Sequence, residues 1–335
     1  MSEIEDGLRN LTVQGWRLEL EWDGEDTESP SSIPMLRGAW GAALHDVSLD
    51  WYRRFFGAEP AGGSDPPPGA SPRYVLRQAQ PRAGVERGES AIEFLAFGEL
   101  EGEGRRALRD SWRLAGERGL GARRTAFRLG RIIPLARDGE PEACGDQDQD
   151  RDWSARGFAL SPLPWPVAGG DVAAGCRIEF PVPVRMLERG LLIDAPGLPD
   201  LTIAMIRRAR TLNDGDEATE ALWRNRHEWL RRAREIRAGW RAGSRLDLLR
   251  YSGSQRREIR MPGARGGLDL PDGPGALAPL LAAAQWTHLG KGTVMGLGRP
   301  WLRALTQEGE SGPDRDFNPE AGEAAAAPAV HRRGE

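Results

Sequence analysis

Alternation of apolar and polar residues marks the first strand of the chain, between residues 11 and 22. The alternation has period two, as a half-buried strand requires, and Gly15 interrupts it as an irregularity. Apolar residues then recur at helical spacing from Leu36 to Trp51, which predicts a helix. Gly38 and Gly41 would let this helix lie close against a sheet.

The same patterns predict the rest of the first half. In chain order they indicate a short strand at 73–80, a strand at 91–100, a helix at 104–118 and a strand at 125–133. The order β-α-β-β-α-β is the ferredoxin-like arrangement. The acidic segment 138–152 and the proline-rich segment 161–170 have the composition of a linker.

A second cycle of elements starts near residue 177. Its predicted elements are a strand at 177–180, helices at 201–212 and 219–242, a strand pair within 244–265, a helix at 277–286 and a strand at 301–305. The residues after 306 are rich in Gly, Pro, Glu and Ala, which predicts a disordered tail.

Composition excludes several classes of protein. The 335 residues carry a formal charge of −4, so net charge does not point to nucleic acid, although arginines outnumber acids between 201 and 265. Cys144 and Cys176 form no CxxC pair, which argues against structural zinc and a disulfide framework. No apolar run has membrane-spanning length and no signal peptide is present. These features suit a cytoplasmic protein that uses no cofactor.

Glycines are concentrated in the loop 288–299, which also contains Lys291, the one lysine of the chain. Its glycines are Gly290, Gly292, Gly296 and Gly298. Glycine permits positive φ and close approach of an anion, and exposed N–H groups of such a loop can bind phosphate. The loop lacks the spacing of a nucleotide P-loop. The alternative is a glycine-rich hairpin that precedes the last strand.

The predicted helix 219–242 has an apolar stripe with a basic flank. The flank consists of Arg224, His227, Arg231, Arg234 and Arg241. If helical throughout, the segment spans about 35 Å. It contains fewer acids than arginines, so several charges would lack partners and could face phosphates. The alternative is a solvated surface helix held by salt bridges.

Taken in order, several motifs resemble the CRISPR precursor-RNA processing endoribonucleases of the RAMP superfamily. They are Leu36-Arg37-Gly38-Ala39, Phe97-Gly98, Gly119-Leu120-Gly121, Arg250-Tyr251-Ser252, Gln255-Arg256-Arg257, Gly266-Gly267 and the run from His288 to Gly298. The resemblance covers most of residues 10–305. The arginine-rich segment 215–243 departs from the usual member and is similar to type IV members with a helical finger.

The resemblance implies an α+β fold of two tandem ferredoxin-like domains, the second with a helical insertion. The expected divisions are an N-terminal domain at 1–137, a linker at 138–172, a C-terminal domain at 173–306 with the insertion at 215–243, and a tail at 307–335. It also implies metal-free cleavage of CRISPR repeat RNA into guide RNA by 2′-OH attack. The expected ends are a 2′,3′-cyclic phosphate and a 5′-OH. Other CRISPR effector-complex subunits are expected partners.

Candidate site residues follow from the motifs. His45 is the candidate general base, because its ordinary pKa suits that role, and Arg37 and Lys291 would stabilise charge. Arginines could replace the histidine as the catalytic centre. The expected RNA-binding residues are the arginines of the helix, Arg224, Arg231, Arg234 and Arg241, with Arg250, Arg256, Arg257, His288, Arg299 and the loop glycines. His288 could instead serve the hairpin structurally. The competing functions are a non-catalytic RAMP subunit that holds guide RNA and an unrelated RNA-binding module.

Overall fold

The computed structural model describes residues 2–22, 32–57, 72–79, 90–121, 123–142, 153, 155–167, 171–252 and 257–305. These residues form an α+β fold with two main antiparallel sheets. Each sheet belongs to one β-α-β-β-α-β unit, so the chain contains two tandem ferredoxin-like domains, as expected. The exact domain boundaries stay predictions, and the tail 307–335 lies outside the described residues.

The first sheet has the strand order β2-β3-β1-β4, with a short β5 paired to β1. Its elements are β1 (Thr12–Trp22), α2 (Ile33–Val47), α3 (Leu49–Phe56), β2 (Tyr74–Gln78), β3 (Ser90–Phe97), α4 (Gly102–Arg118), β4 (Phe127–Pro134) and β5 (Phe158–Ala159), preceded by α1 (Glu3–Arg9). The irregularity of β1 falls between Leu18 and Leu20 rather than at Gly15. The segment after residue 153, predicted as linker, supplies β5 and buried Leu160 and Val167.

The second sheet repeats this order as β11-β6-β10-β9. Its elements are β6 (Cys176–Val184), a small hairpin of β7 (Leu187–Glu188) and β8 (Leu191–Leu192), α5 (Leu198–Leu212), α6 (Glu217–Arg224), α7 (Arg226–Glu235), β9 (Gly239–Ser252), β10 (Arg257–Leu270), α8 (Ala278–Thr287) and β11 (Trp301–Ala304). Helices α6 and α7 are the insertion in this unit. No helix in the described ranges is long and apolar enough to cross a membrane.

An aromatic core fixes α2 on the first sheet. Trp40 of α2 is fully buried, stacks on Trp112 of α4 at 5.7 Å and meets Tyr74 of β2 edge to face at 5.0 Å. Its indole N–H donates to the Ser111 hydroxyl at 3.0 Å. Buried aromatic rings with a satisfied N–H hold an element rigidly. The opposite face of α2 is therefore presented in a fixed position.

Candidate functional site

A groove between α2 and α3 contains two of the candidate catalytic residues. It has a volume of about 450 Å³ and is lined by Arg37, Gly38, Gly41, Ala42, His45, Asp46, Tyr52 and Phe56. The small residues of α2 form its floor. A Cβ on Gly41 would lie 2.7 Å from the Phe56 ring, whereas one on Gly38 would meet nothing within 4 Å. Gly41 thus allows α2 and α3 to pack closely, rather than α2 against a sheet as predicted.

Local sequence explains the two helices that form the groove. The predicted single helix is divided at Ser48, whose hydroxyl accepts the Trp51 N–H at 3.4 Å and so caps α3. The division turns α3 back along α2. Tyr52 and Phe56, four residues apart, then lie on the same face of α3 and form the second wall.

Four side chains form a continuous ladder along the groove. The His45 ring meets Tyr52 edge to face at 5.1 Å, and Tyr52 stacks on Phe56 at 4.8 Å and 12°. The Arg37 guanidinium lies 4.9 Å from the centre of the Phe56 ring, a cation–π distance. Two aromatic rings therefore separate Arg37 from His45, and the two do not converge on one point.

His45 is accessible and has one nitrogen engaged. Its side chain is 50% exposed, and its Nδ1 lies 3.4 Å from the Asp46 carboxylate. Asp46 also pairs with Arg118 at the end of α4, at 2.8 Å. Arg118, then His45, lowers the pKa of Asp46, so that this carboxylate is charged. The carboxylate favours a proton on Nδ1, and Nε2 of His45, which has no hydrogen-bond partner among the described residues, can accept another.

Behind Arg37 lies the buried hydroxyl of Tyr74. Tyr74 is 0% exposed, and the polar group beside its Oη is the Arg37 guanidinium. The buried Nε of Arg37 has no hydrogen-bond partner among the described residues. Burial raises the pKa of Tyr74 far above its usual range, against the opposing charge and the hydrogen bond of Arg37. Tyr74 is therefore a neutral O–H donor beside a cationic N–H donor.

The glycine loop is folded onto its own domain. All four candidate glycines have positive φ. The N–H groups of Lys291, Gly296 and Gly298 donate to the carbonyls of Arg185, Thr293 and Pro183 at 2.7, 3.0 and 3.0 Å. These three amides are thus not an open phosphate cradle, because the loop uses them for internal turns and for contact with the end of β6. Gly296 and Gly298 are also buried.

Close contact with neighbouring backbone explains why positions 296 and 298 are occupied by glycine. A Cβ at Gly298 would lie 2.0 Å from the Leu289 carbonyl oxygen, and one at Gly296 would lie 3.2 Å from the backbone of Arg77 in β2. The turn Thr293–Met295, which immediately precedes Gly296, contacts both β2 and α2. The loop therefore lies beside the helix that bears the groove, and the Lys291 side chain at its tip is exposed.

His288 is buried and uncharged, so its predicted contact with RNA has no geometric support. It is 0% exposed. Its Nδ1 lies 3.1 Å from the Leu297 carbonyl oxygen, and its Nε2 lies 3.3 Å from Nη1 of Arg77. Burial, and then Arg77, lowers its pKa well below the usual range. The neutral ring donates from Nδ1 to the Leu297 carbonyl and accepts from Arg77 at Nε2. This arrangement corresponds to the alternative that His288 serves the hairpin structurally.

Arg77 belongs to a buried ionic network that the pattern of the sequence did not single out. Its Nε donates to Glu93 at 2.5 Å, and its Nη1 donates to the Gln285 carbonyl at 2.7 Å. Arg299 lies 4.0 Å from Glu93 with 13% of its side chain exposed, and burial lowers its pKa to about 9. Arg299 is thus part of this network. Single charges within the apolar strands β2 and β3 were the signal that could have revealed it.

The predicted helix 219–242 is wrong as a continuous element. Helix α6 ends at Arg224, α7 runs from Arg226 to Glu235, and strand β9 begins at Gly239. Asn225 separates the helices with a backbone conformation outside the helical range. The 35 Å helix therefore does not exist, and its predicted single basic flank is divided between two helices and a strand.

Most arginines of this segment have carboxylate partners, contrary to the prediction. Arg224 pairs with Glu217 at 2.6 Å, and Arg231 pairs with Glu228 and Glu235. Arg241 lies 3.4 Å from Asp269. Arg234 and His227 are exposed. The salt-bridged surface helix, left open as the alternative, describes Arg224 and Arg231 better.

The basic signature of the C-terminal half lies on the long hairpin of β9 and β10. Arg250 is paired with Ile259 and Arg257 with Ser252, while Arg256 lies outside the described residues. From Arg257 to Gly263, β10 pairs with β9 and not with β6 in the described part of the sheet. Buried Met261 of this portion packs into the core of the first domain. The hairpin and the glycine loop thus both contact the domain that bears the groove.

No site for a metal ion is apparent in the part of the chain that the structure describes. No three His, Cys, Asp or Glu side chains within it are grouped as potential ligands. The groove is instead lined by an imidazole, a carboxylate, a phenol and a guanidinium, those of His45, Asp46, Tyr52 and Arg37. Such a set can exchange protons and bind anions.

Comparison with solved structures identifies known proteins that share this fold. No family model matches the chain, and no curated protein matches it. Among solved structures it is similar to a Cas6 product complex, with 16% identity over 87% of this chain and 99% of that chain and a TM-score of 0.53. A structure of Thermus thermophilus Cas6 matches with 14% identity over 87% and 98%, and a TM-score of 0.50. The chain therefore has the fold of the Cas6 proteins.

Proposed function

We propose that this protein binds CRISPR repeat RNA and cleaves it without metal, as a precursor-RNA processing endoribonuclease. The observation that carries the proposal is His45: an accessible imidazole with a free Nε2, held on α2 of a Cas6 fold. The similar structure of a Cas6 protein is a product complex, which supports a role in processing. Other CRISPR effector subunits are the proposed further partners.

The proposed reaction needs one proton acceptor at the nucleophile. Nε2 of His45 takes the proton of a ribose 2′-OH as that oxygen attacks the adjacent phosphorus. The bond from phosphorus to the 5′-oxygen breaks, and this oxygen takes a proton from water and leaves as a 5′-OH. The product on the other side is a 2′,3′-cyclic phosphate. Positioning and positive charge supply the remaining stabilisation, and exposed Lys291 is the proposed source of charge.

Basic residues on the hairpin and on α7 are proposed to bind the RNA backbone. Arg250, Arg256 and Arg257 belong to the hairpin signature, and Arg234 is exposed on α7. Phosphate contacts of this kind supply affinity without reading sequence. A subunit that only holds guide RNA would use the same contacts, so cleavage separates the two functions.

Single-turnover cleavage of the repeat RNA tests the proposal. His45→Ala should slow cleavage by about 10²-fold or more, because a general base contributes that much, and RNA affinity should stay the same. His227→Ala is the matched control, since His227 is an exposed histidine on α7 that does not line the groove. If the wild-type protein retains the RNA uncut, the non-catalytic function is correct. An unchanged cleavage rate in His45→Ala would show that His45 is not the general base and would assign the catalytic role to arginines.

A further inference from the structure

The spacing of Arg37 and His45 along α2 has a consequence for how RNA can lie in the groove. Eight residues of helix correspond to a rise of about 12 Å. The guanidinium is held over Phe56, and Tyr52 stands between Phe56 and His45. The two groups therefore cannot contact the same phosphate. They can contact the phosphates on the two sides of one nucleotide.

The middle of the groove is suited to a flat ring. Gly38 and Ala42 keep the floor low, and the site above Gly38 is open, whereas Phe56 packs over Gly41. Tyr52 is partly exposed and its ring stacks on Phe56, so that the wall opposite the floor is aromatic. Unpaired bases of RNA are commonly held by stacking on aromatic side chains.

The Arg37 end of the groove lacks an acceptor. The Nε–H of Arg37 is a buried donor without a partner in the described structure, and the Tyr74 hydroxyl beside the guanidinium can donate to a further acceptor. Buried donors are rarely left unpaired, and a phosphate oxygen can accept from a guanidinium in two bonds. An anionic oxygen placed there would satisfy Arg37 and lie close to Tyr74.

We propose that the groove between α2 and α3 holds one unstacked nucleotide of the RNA. Its base lies against Tyr52, the phosphate on one side lies at Arg37, and the phosphate on the other side is the one at which His45 acts. Arg37 is then a binding residue for the neighbouring phosphate and not a stabiliser of the reacting one. This inference rests on the proposed function, because it places the scissile phosphate at His45.

Binding of RNA that cannot be cleaved tests the subsite. The probe is the repeat RNA with a 2′-deoxy residue at the scissile position, and a second series has one abasic nucleotide at each position around the cleavage junction. Tyr52→Leu should weaken binding of the intact RNA by roughly 10-fold, the loss of one stacked base. At one position, the abasic nucleotide should weaken binding to the wild-type protein by the same factor as Tyr52→Leu does. The same abasic RNA should bind Tyr52→Leu about as tightly as the intact RNA binds that variant.

Controls separate stacking from damage to the fold. Tyr52→Phe keeps the ring and should restore the sensitivity to that abasic position. Trp301→Leu, which removes a half-buried aromatic ring on β11, should leave the sensitivity unchanged. If the losses from Tyr52→Leu and from the abasic nucleotide multiply at every position, the subsite is refuted although RNA binding stands. If the wild-type protein binds no repeat RNA, the proposed function and the subsite both fail.

The salt dependence of binding tests the Arg37 end separately. Arg37→Gln should lower the magnitude of the slope of log K against log salt by about 0.7–0.9, the value of one phosphate contact. Arg53→Gln on the exposed face of α3 is the control and should change the slope less. A slope in Arg37→Gln equal to that of the wild type would overturn the phosphate contact at Arg37.

Discussion

Nη1 of Arg77 lies 3.3 Å from Nε2 of His288, and this contact joins strand β2 of the first domain to the start of the glycine loop of the second. Arg77 also binds the Gln285 carbonyl near the end of α8, where a cation is favoured by the helix dipole. Its partner Glu93 is 4% exposed. A buried ionic network thus sets the position of the loop beside α2.

Removal of Arg77 should be costly because the buried Glu93 carboxylate loses its hydrogen-bonded partner and keeps only Arg299, at 4.0 Å. Arg77→Leu is expected to lower the free energy of unfolding by about 3–5 kcal/mol, and Arg77→Leu combined with Glu93→Leu by less. Urea unfolding measures both. Arg113→Ala, which breaks an exposed pair with Glu117, is the control and should cost at most about 1 kcal/mol. A double variant less stable than Arg77→Leu would contradict the account.

Stability should fall with acid because of His288. Its folded-state pKa lies well below the ordinary 6.5, so below that pH the unfolded chain binds a proton that the folded chain excludes. The stabilisation is complete above about pH 6.5 and is lost as the pH falls, by up to about 1.4 kcal/mol per pH unit. The charged groups near His288 are Arg77, Arg208 and Arg299, and all three oppose its protonation.

A comparison of the wild type with His288→Gln isolates the contribution of His288 to this pH dependence. In His288→Gln the free energy of unfolding should vary less between pH 6.5 and 5 than in the wild type, whatever its absolute value. Denaturant unfolding at several pH values gives the two slopes. Parallel slopes would show that His288 titrates alike in the folded and unfolded chains, against its buried neutral state.

The ion pairs on α7 predict unequal contributions to RNA binding. Arg231 is engaged by Glu228 and Glu235, whereas Arg234 has no ion-pair partner in the described ranges. Arg234→Gln should therefore reduce the magnitude of the salt slope by about 0.7–0.9, and Arg231→Gln should reduce it by less. Filter binding over a range of salt gives the slopes. If both variants have the salt slope of the wild type, α7 makes no phosphate contact and is a solvated surface helix.

Local periodicity was sufficient to predict most strands and the order of elements in both domains. Strand β2, helix α4 and helix α5 lie within a few residues of their predicted positions, because each buries one regular face. Helix α1 was missed, although Ser2 and Glu5 form a capping box that the sequence displays. Its seven residues are too few for a convincing apolar period.

The candidate site was harder to predict because it depends on contacts between distant residues. His45 and Arg37 were identified, but the aromatic pair that separates them arises only when Ser48 ends one helix and starts the next. Asn225 likewise ends α6 inside a sequence with continuous helical propensity. The burial of His288 follows from Arg77, which lies more than 200 residues away in the chain. Sequence spacing contains none of this information.

Cleavage of the repeat RNA by the purified protein in excess EDTA tests the central claim most directly. The account predicts one cut within the repeat without added metal, a 2′,3′-cyclic phosphate on one product and a 5′-OH on the other. A 2′-deoxy residue at the scissile nucleotide should abolish the cut and leave binding nearly intact, since the missing hydroxyl is the nucleophile. A cut that requires a divalent metal, products that end in a 3′-OH, or cleavage of the 2′-deoxy substrate would contradict it.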